Sequence, residues 1–380
     1  MSVLGRLRRR LARGLPWIAG TLIGLAVVGF LFAWSGLYDV SSSAGHWSVT
    51  EAVLEFGLDS AVRTQSMGIE PPPLDRSDWV ALGANHFASG CAPCHGAPGH
   101  PRNPITLAML PRPPPLGEAA TKWQTRELYW IVRHGLKYTG MPAWAAEQRG
   151  DEVWPVVAFL EALPQLSAAD FDALVGGGVS GLAGLAGSPP ATMEATLDSC
   201  ARCHGGDGRG PVSPMVPSLA GQSAPYLASA LKEYRDGARP SGMMQPVVAN
   251  LDDDRIAALA AHYASLDRTA GPPPDDDTDE RRRGETIATL GIAGQRIPPC
   301  LACHGEASRD VFPRLDGLSA EYIATQLELF RSGVRSGTPK ARIMMAIADR
   351  LEDSEIAAVA AYFAGRTATS RDLKATGAGR

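Results

Sequence analysis

Cys91-Ala-Pro-Cys94-His95, Cys200-Ala-Arg-Cys203-His204 and Cys300-Leu-Ala-Cys303-His304 take up all six cysteines of a 380-residue chain. Each reads C-x-x-C-H, although only 8 residues of the chain are His. Two thiols three positions apart can each add to one vinyl group of a single porphyrin. The adjoining imidazole then lies under the iron as a nitrogen ligand. Zinc fits less well, because a structural site draws four ligands from two such halves. A redox C-x-x-C expects a βαβ setting, which is missing here, and a structural disulfide does not call for the following His. The spacing predicts three covalently attached haem c groups, bound through Cys91, Cys94, Cys200, Cys203, Cys300 and Cys303, with His95, His204 and His304 as iron ligands.

The second and third motifs belong to a repeat. Cys200 and Cys300 are 100 residues apart, as are Met244 and Met344, and Leu251 and Leu351. Between them the offset changes to 96, where Pro217-Ser-Leu-Ala-Gly221 matches Pro313-Arg-Leu-Asp-Gly317 and Tyr234-Arg235 matches Phe330-Arg331. Compensating loop changes of this kind leave the shared anchors as the structural frame. The frame bears on the sixth iron ligand, commonly His or Met in electron carriers. No His follows His304, so the third site must use Met344 or Met345. The offset selects Met244 and Met344 over Met243 and Met345, which read as apolar packing. His262 falls where the third copy has Tyr362 and reads as a packing residue. For the first motif Met141 is expected, in the turn-rich Tyr138-Thr-Gly-Met-Pro-Ala-Trp144. His134, inside an amphipathic helix, is its main rival, and Met109, beside a Pro-rich loop, reads as a wall residue. His/Met ligation raises the reduction potential above His/His and leaves no position for oxygen or substrate. No catalytic residue is predicted.

The expected fold is all-α. Ser223 to Gly237 and Ser319 to Gly333 carry helix-spaced apolar residues closed by Gly. Asp252 to Leu266 and Glu352 to Ala364 are Ala-rich amphipathic helices with acidic starts. Asp151 to Leu163 fills the same place in the first unit, with Pro155 in its first turn. Three small domains are delimited at 77–168, 191–267 and 283–366. A stalk at 39–76 without strong periodicity ends in Pro71-Pro72-Pro73. A Gly-rich linker spans 169–190, a Pro/Asp linker 268–282, and a polar tail 367–380. The acidic run Asp275 to Glu280 reads as solvated linker.

At the N-terminus, Arg6, Arg8, Arg9, Arg10 and Arg13 within residues 1–14 precede an apolar run at 15–38. Trp17 and Trp34 bracket its uncharged part, as suits two membrane interfaces. The run is expected to be a single-pass anchor, with the Arg cluster in the cytoplasm and everything after it outside. The alternative is a cleaved secretory signal with a poor site at Ser42-Ser43-Ala44. Both export the rest. Net charge is -4 and pI about 6.1, which gives no basic field for nucleic acid.

The motif-bearing segments resemble class I cytochrome c domains. Gly83-x-x-x-Phe87-x-x-x-Cys91 matches that family's N-terminal helix pattern, in which Gly permits a close crossing with the C-terminal helix, here the one carrying Trp154 and Phe159. Domains two and three together resemble a di-haem cytochrome of the c4 type. They share C-x-x-C-H-G, Pro-x-Leu-x-Gly, a Tyr-led helix, and a Met seven residues before the Leu that opens the last helix. Thr192 stands where the helix Gly would be in domain two, so a looser crossing is expected there. Extra residues lie between Gly284 and Cys300. The resemblance implies haem attachment outside the cytoplasm, hence haem domains on the periplasmic side of the cell inner membrane. It also implies single-electron shuttling between a quinol-oxidising complex or dehydrogenase and a terminal oxidase or reductase. The alternative is the cytochrome subunit of a membrane-bound dehydrogenase for alcohols, aldehydes or sugars. A peroxidase-like haem enzyme would need an open axial site, against which the Met candidates argue.

Overall fold

The computed structural model describes residues 3–176, 192–268, 278–305 and 310–366, with backbone alone for 3–14. Most of the Gly-rich linker, Asp275 to Asp277 and the tail lie outside the described residues. Those described are helical, with no strand beyond the isolated bridges Ala97–His100 and Ile292–Ile297. The all-α expectation therefore holds.

The first helix, α1 (Val3–Ser35), includes a 21-residue stretch, Leu15–Ser35, with mean hydropathy 2.1 and no burial against the rest of the chain. It is long and apolar enough to cross a membrane or to act as an export signal. The stalk differs from expectation. It contains the 18-residue helix α2 (Ser48–Gln65). Val62 is fully buried, and Lys122 pairs with Asp59 at 2.8 Å, so this helix leans on domain one. Its apolar residues Val49, Val53 and Phe56 remain exposed. A helix whose apolar positions serve no core escapes a search for core-facing periodicity.

Domain one comprises α3 (Ser77–Gly90), α4 (Ala92–His95), the single turns α5 (Pro104–Leu107) and α6 (Leu116–Ala119), α7 (Thr125–His134), α8 (Val153–Ala162) and α9 (Ala168–Leu174). A Cβ on Gly83 would lie 2.1 Å from the Pro155 carbonyl oxygen and 2.8 Å from Phe159 Cβ, so only Gly allows this crossing of α3 and α8. Pro155 sits in the first turn of α8, where no intrahelical N–H is needed. Phe87, Phe159 and Phe171 close the core, with centroids 4.9–6.1 Å apart.

Domain two holds α10 (Met193–His204), α11 (Ala224–Arg235), α12 (Met244–Val248) and α13 (Asp253–Ser265). Domain three holds α14 (Asp279–Leu290), α15 (Leu301–His304), α16 (Ala320–Arg331), α17 (Pro339–Ala348) and α18 (Asp353–Ala364). In domain three Gly284 recreates the close crossing: its Cβ would lie 2.0 Å from the Ala358 oxygen. In domain two Thr192 caps α10 through its hydroxyl, and α13 packs chiefly on α11. The looser crossing expected from Thr192 is what the structure has.

Domains two and three meet through an internal pseudo-twofold. Ser223 Oγ donates to the Asp310 carbonyl, and Ser319 Oγ, 96 positions on, donates to the carbonyl of Pro214, 96 positions before Asp310. Such reciprocity is the signature of an isologous contact. Domain one reaches both. Arg76 forms a bidentate pair with Glu321 at 3.0 and 2.8 Å, and Ser213 Oγ donates to Asp78 at 2.6 Å.

Candidate haem-binding sites

Each C-x-x-C-H segment is one turn of helix. His95 N–H bonds the Cys91 carbonyl at 2.9 Å and His304 N–H the Cys300 carbonyl at 2.9 Å. Positions i, i+3 and i+4 then share one face, so both thiols and the imidazole point the same way. The six cysteines are unpaired. Burial pushes the Cys91 thiol up to about 12, and Cys200, Cys203 and Cys300 to about 11. Burial therefore keeps these thiols protonated, unlike the lowered pKa of a thiolate in a redox C-x-x-C. Among the described residues no three His, Cys, Asp or Glu side chains gather as a direct metal site.

The three histidines share a partner that sequence reading missed. His95 Nδ1 lies 2.8 Å from the Pro114 carbonyl, His204 Nδ1 2.9 Å from that of Pro217, and His304 Nδ1 2.8 Å from that of Pro313. A carbonyl can only accept, so Nδ1 carries the proton and Nε2 keeps a free lone pair. Burial lowers the pKa of all three imidazoles, which holds them neutral, as a metal ligand must be. Pro217 and Pro313 were visible as repeat anchors. Their role was hidden because a backbone carbonyl has no side-chain signature.

The structure separates the methionines. Met244 packs against the core of domain two, whereas Met243 packs against that of domain one. Met344 packs against the core of domain three. In domain one, Met141 lies in the loop after α7, with its N–H on Thr139 Oγ1 at 3.0 Å. Met109 stands close by, since a Cβ on Gly140 would lie 2.1 Å from its Cε. His134 is exposed against Trp130, and His262 lies against Tyr263.

A second missed feature lies between domains two and three. Arg239 is 4 % exposed, and it donates to Tyr322 Oη at 2.8 Å and to Gln326 at 3.1 Å. Its repeat mate, Arg335, donates to Gln326 at 2.6 Å. Among the described residues neither forms an ion pair with a carboxylate. Burial and the neighbouring Arg239 cation lower the Arg335 pKa. Two like charges facing each other in a low-dielectric seam are costly unless anions reach them. Haem carries two carboxylates, so this donor set of Arg239, Arg335, Tyr226 and Tyr322 fits the group that the C-x-x-C-H motifs imply.

The sequence matches two family profiles: "Cytochrome C oxidase, cbb3-type, subunit III" over residues 79–160, and "Cytochrome c" over 194–267 and 292–366. Among curated relatives, cytochrome c4 of Pseudomonas aeruginosa is 35% identical over 192 residues, covering 50% of this chain and 93% of that protein. The thiosulfate dehydrogenase electron acceptor of Stutzerimonas stutzeri is 37% identical over 181 residues, 47% of this chain and 81% of that protein. The crystal structure of reduced cytochrome c4 from Pseudomonas stutzeri matches with 30% identity and a TM-score of 0.41, covering 47% of this chain and all of that one. The chain belongs to the class I c-type cytochromes, electron-transfer proteins with covalently bound haem c, and its C-terminal half is homologous to di-haem cytochrome c4.

Proposed function

We propose that this is a membrane-anchored tri-haem cytochrome that passes single electrons between redox proteins outside the cytoplasm, towards a terminal oxidase. One observation carries the reading: in all three motifs the imidazole beside the paired thiols is fixed by a proline carbonyl, with Nε2 left to bind iron. In this reading each domain holds its haem through two thioether bonds. His95, His204 and His304 supply one axial ligand, and Met141, Met244 and Met344 the other. Arg239 and Arg335 meet haem carboxylates at the seam between domains two and three. Haem c supplies a one-electron iron couple when bound. The protein's contribution is to hold the ring, fix the ligand tautomer and keep water from the iron. With both axial positions filled, the chain is a carrier rather than an enzyme.

The relative named as a thiosulfate dehydrogenase electron acceptor favours a dehydrogenase as donor. The apolar stretch Leu15–Ser35 supports anchoring in the inner membrane with the haem domains in the periplasm. The test is to solubilise the full chain from membranes and measure its pyridine haemochrome and intact mass. Three haems per chain are expected. One or two would remove a domain from the reading, and none would end it. Co-purification with an oxidase, or instead with a flavin, quinone or molybdenum subunit, separates the two ends of the proposed path.

A further inference from the structure

Glu152, at the start of α8 in domain one, is 5 % exposed, and its carboxylate is spent on domain two. Oε1 accepts from Ser241 Oγ at 2.6 Å and Oε2 from Gly242 N–H at 2.6 Å. Trp144 Nε1 approaches Oε2 at 3.4 Å, and Arg149 pairs with Oε1 at 2.9 Å. Arg149 also donates to the Pro240 carbonyl at 3.1 Å. The indole of Trp144 lies on Gly242, where a Cβ would come within 2.0 Å of Nε1. Ser241 Oγ in turn accepts the N–H of Met244 at 3.0 Å. Two hydrogen bonds therefore join a buried carboxylate of domain one to the backbone of the methionine assigned to iron in domain two.

The repeat supplies an internal control. One hundred positions on, Ser241, Gly242 and Met243 become Ala341, Arg342 and Ile343. Ile343 is 57% exposed, so it lacks the cover that domain one gives Met243. Met344 lies in the middle of α17, which begins at Pro339, and its backbone is fixed by its own helix. In domain two the corresponding helix begins only at Met244. What α17 does for Met344 by extra turns must be done for Met244 from outside.

Building on the ligand assignment above, we propose that Glu152 is a positioning residue for the neighbouring domain: it clamps Ser241–Met244 against Trp144, and so fixes the seat of the Met244 sulfur and the reduction potential of the domain-two centre. A sulfur held in place favours reduced iron, and a loosened one gives up part of that preference. Domain one thus sets a property of domain two that domain three sets for itself.

The test uses the full-length holoprotein with Glu152→Ala, Glu152→Gln and Gly242→Ala, and Met244→Ala as reference. The readouts are a spectroelectrochemical titration and the far-red sulfur-to-iron band of the oxidised protein. Glu152→Ala and Gly242→Ala are expected to lower one potential, the one that Met244→Ala lowers. They should also remove up to about a third of the band, the share of one centre, with haem content unchanged. Glu152→Gln keeps an acceptor for one donor and the shape of the side chain, so it should fall between wild type and Glu152→Ala and guards against simple misfolding. Three unchanged potentials and an unchanged band in Glu152→Ala and Gly242→Ala, with a shifted Met244→Ala, would overturn the clamp while leaving the carrier reading intact. An unchanged Met244→Ala would overturn the ligand assignment, and the clamp with it.

Discussion

At the scale of single residues, thiols and imidazoles were legible from spacing alone, because covalent attachment demands a fixed order of side chains. The proline carbonyls were not, since any residue offers the same backbone oxygen. For methionine, only a repeat with a second copy to compare gave a ground for choosing between neighbours. Packing agrees with that comparison, as Met243 turns to domain one and Met244 to domain two. Met141 had no copy, and the structure leaves Met109 within reach of the same loop. Met244→Ala or Met344→Ala is expected to leave haem attached and to lower one of the potentials in a redox titration. His86 gives a pH prediction. Its ring lies 4.7 Å from that of Trp144, and burial lowers its pKa from 6.5 to about 4. Between those values the unfolded chain binds more protons than the folded one, so stability falls as pH drops through the window. Thermal melts of wild type and His86→Phe from pH 7 to pH 4 should show a flatter dependence in the variant.

At the scale of elements, two glycines allow helices to touch at backbone distance. Adding a Cβ at Gly284 would press on the Ala358 carbonyl and Tyr362 Cβ, atoms that cannot swing away. Gly284→Ala is expected to cost about 1–3 kcal/mol by overpacking, read as an earlier denaturation of the α14–α18 unit in urea. The matching change in domain two already exists as Thr192, and there the crossing is given up. Helices α11, α13 and α16 were predictable because their apolar faces meet a core and their caps are conventional: Ser223, Asp252 and Ser319 each accept a backbone N–H. Helix α2 was not predicted. It does little of its burial through the apolar residues that a periodicity search counts.

At the scale of the molecule, motif spacing gave an expected domain order but nothing of the contacts between domains. The Arg239–Arg335 pair, the Glu152 clamp and the Arg76–Glu321 bridge join residues 96, 90 and 245 positions apart, respectively, with no local pattern to announce them. The proposed anchoring is tested at this scale too. Membrane fractions washed with high salt and carbonate should retain the full chain, and a version starting after residue 38 with a cleavable leader should appear in the periplasmic supernatant. Retention of the shortened form would assign the hold to another surface. The link between α1 and α2, residues 36–47, bends back on itself, with Trp47 against Phe32 at 6.1 Å and against Tyr38 at 5.3 Å. Under the proposed anchoring, this folded joint, and not an extended strand, would tie the first unit to its mooring, so the unit's reach from the lipid would be short.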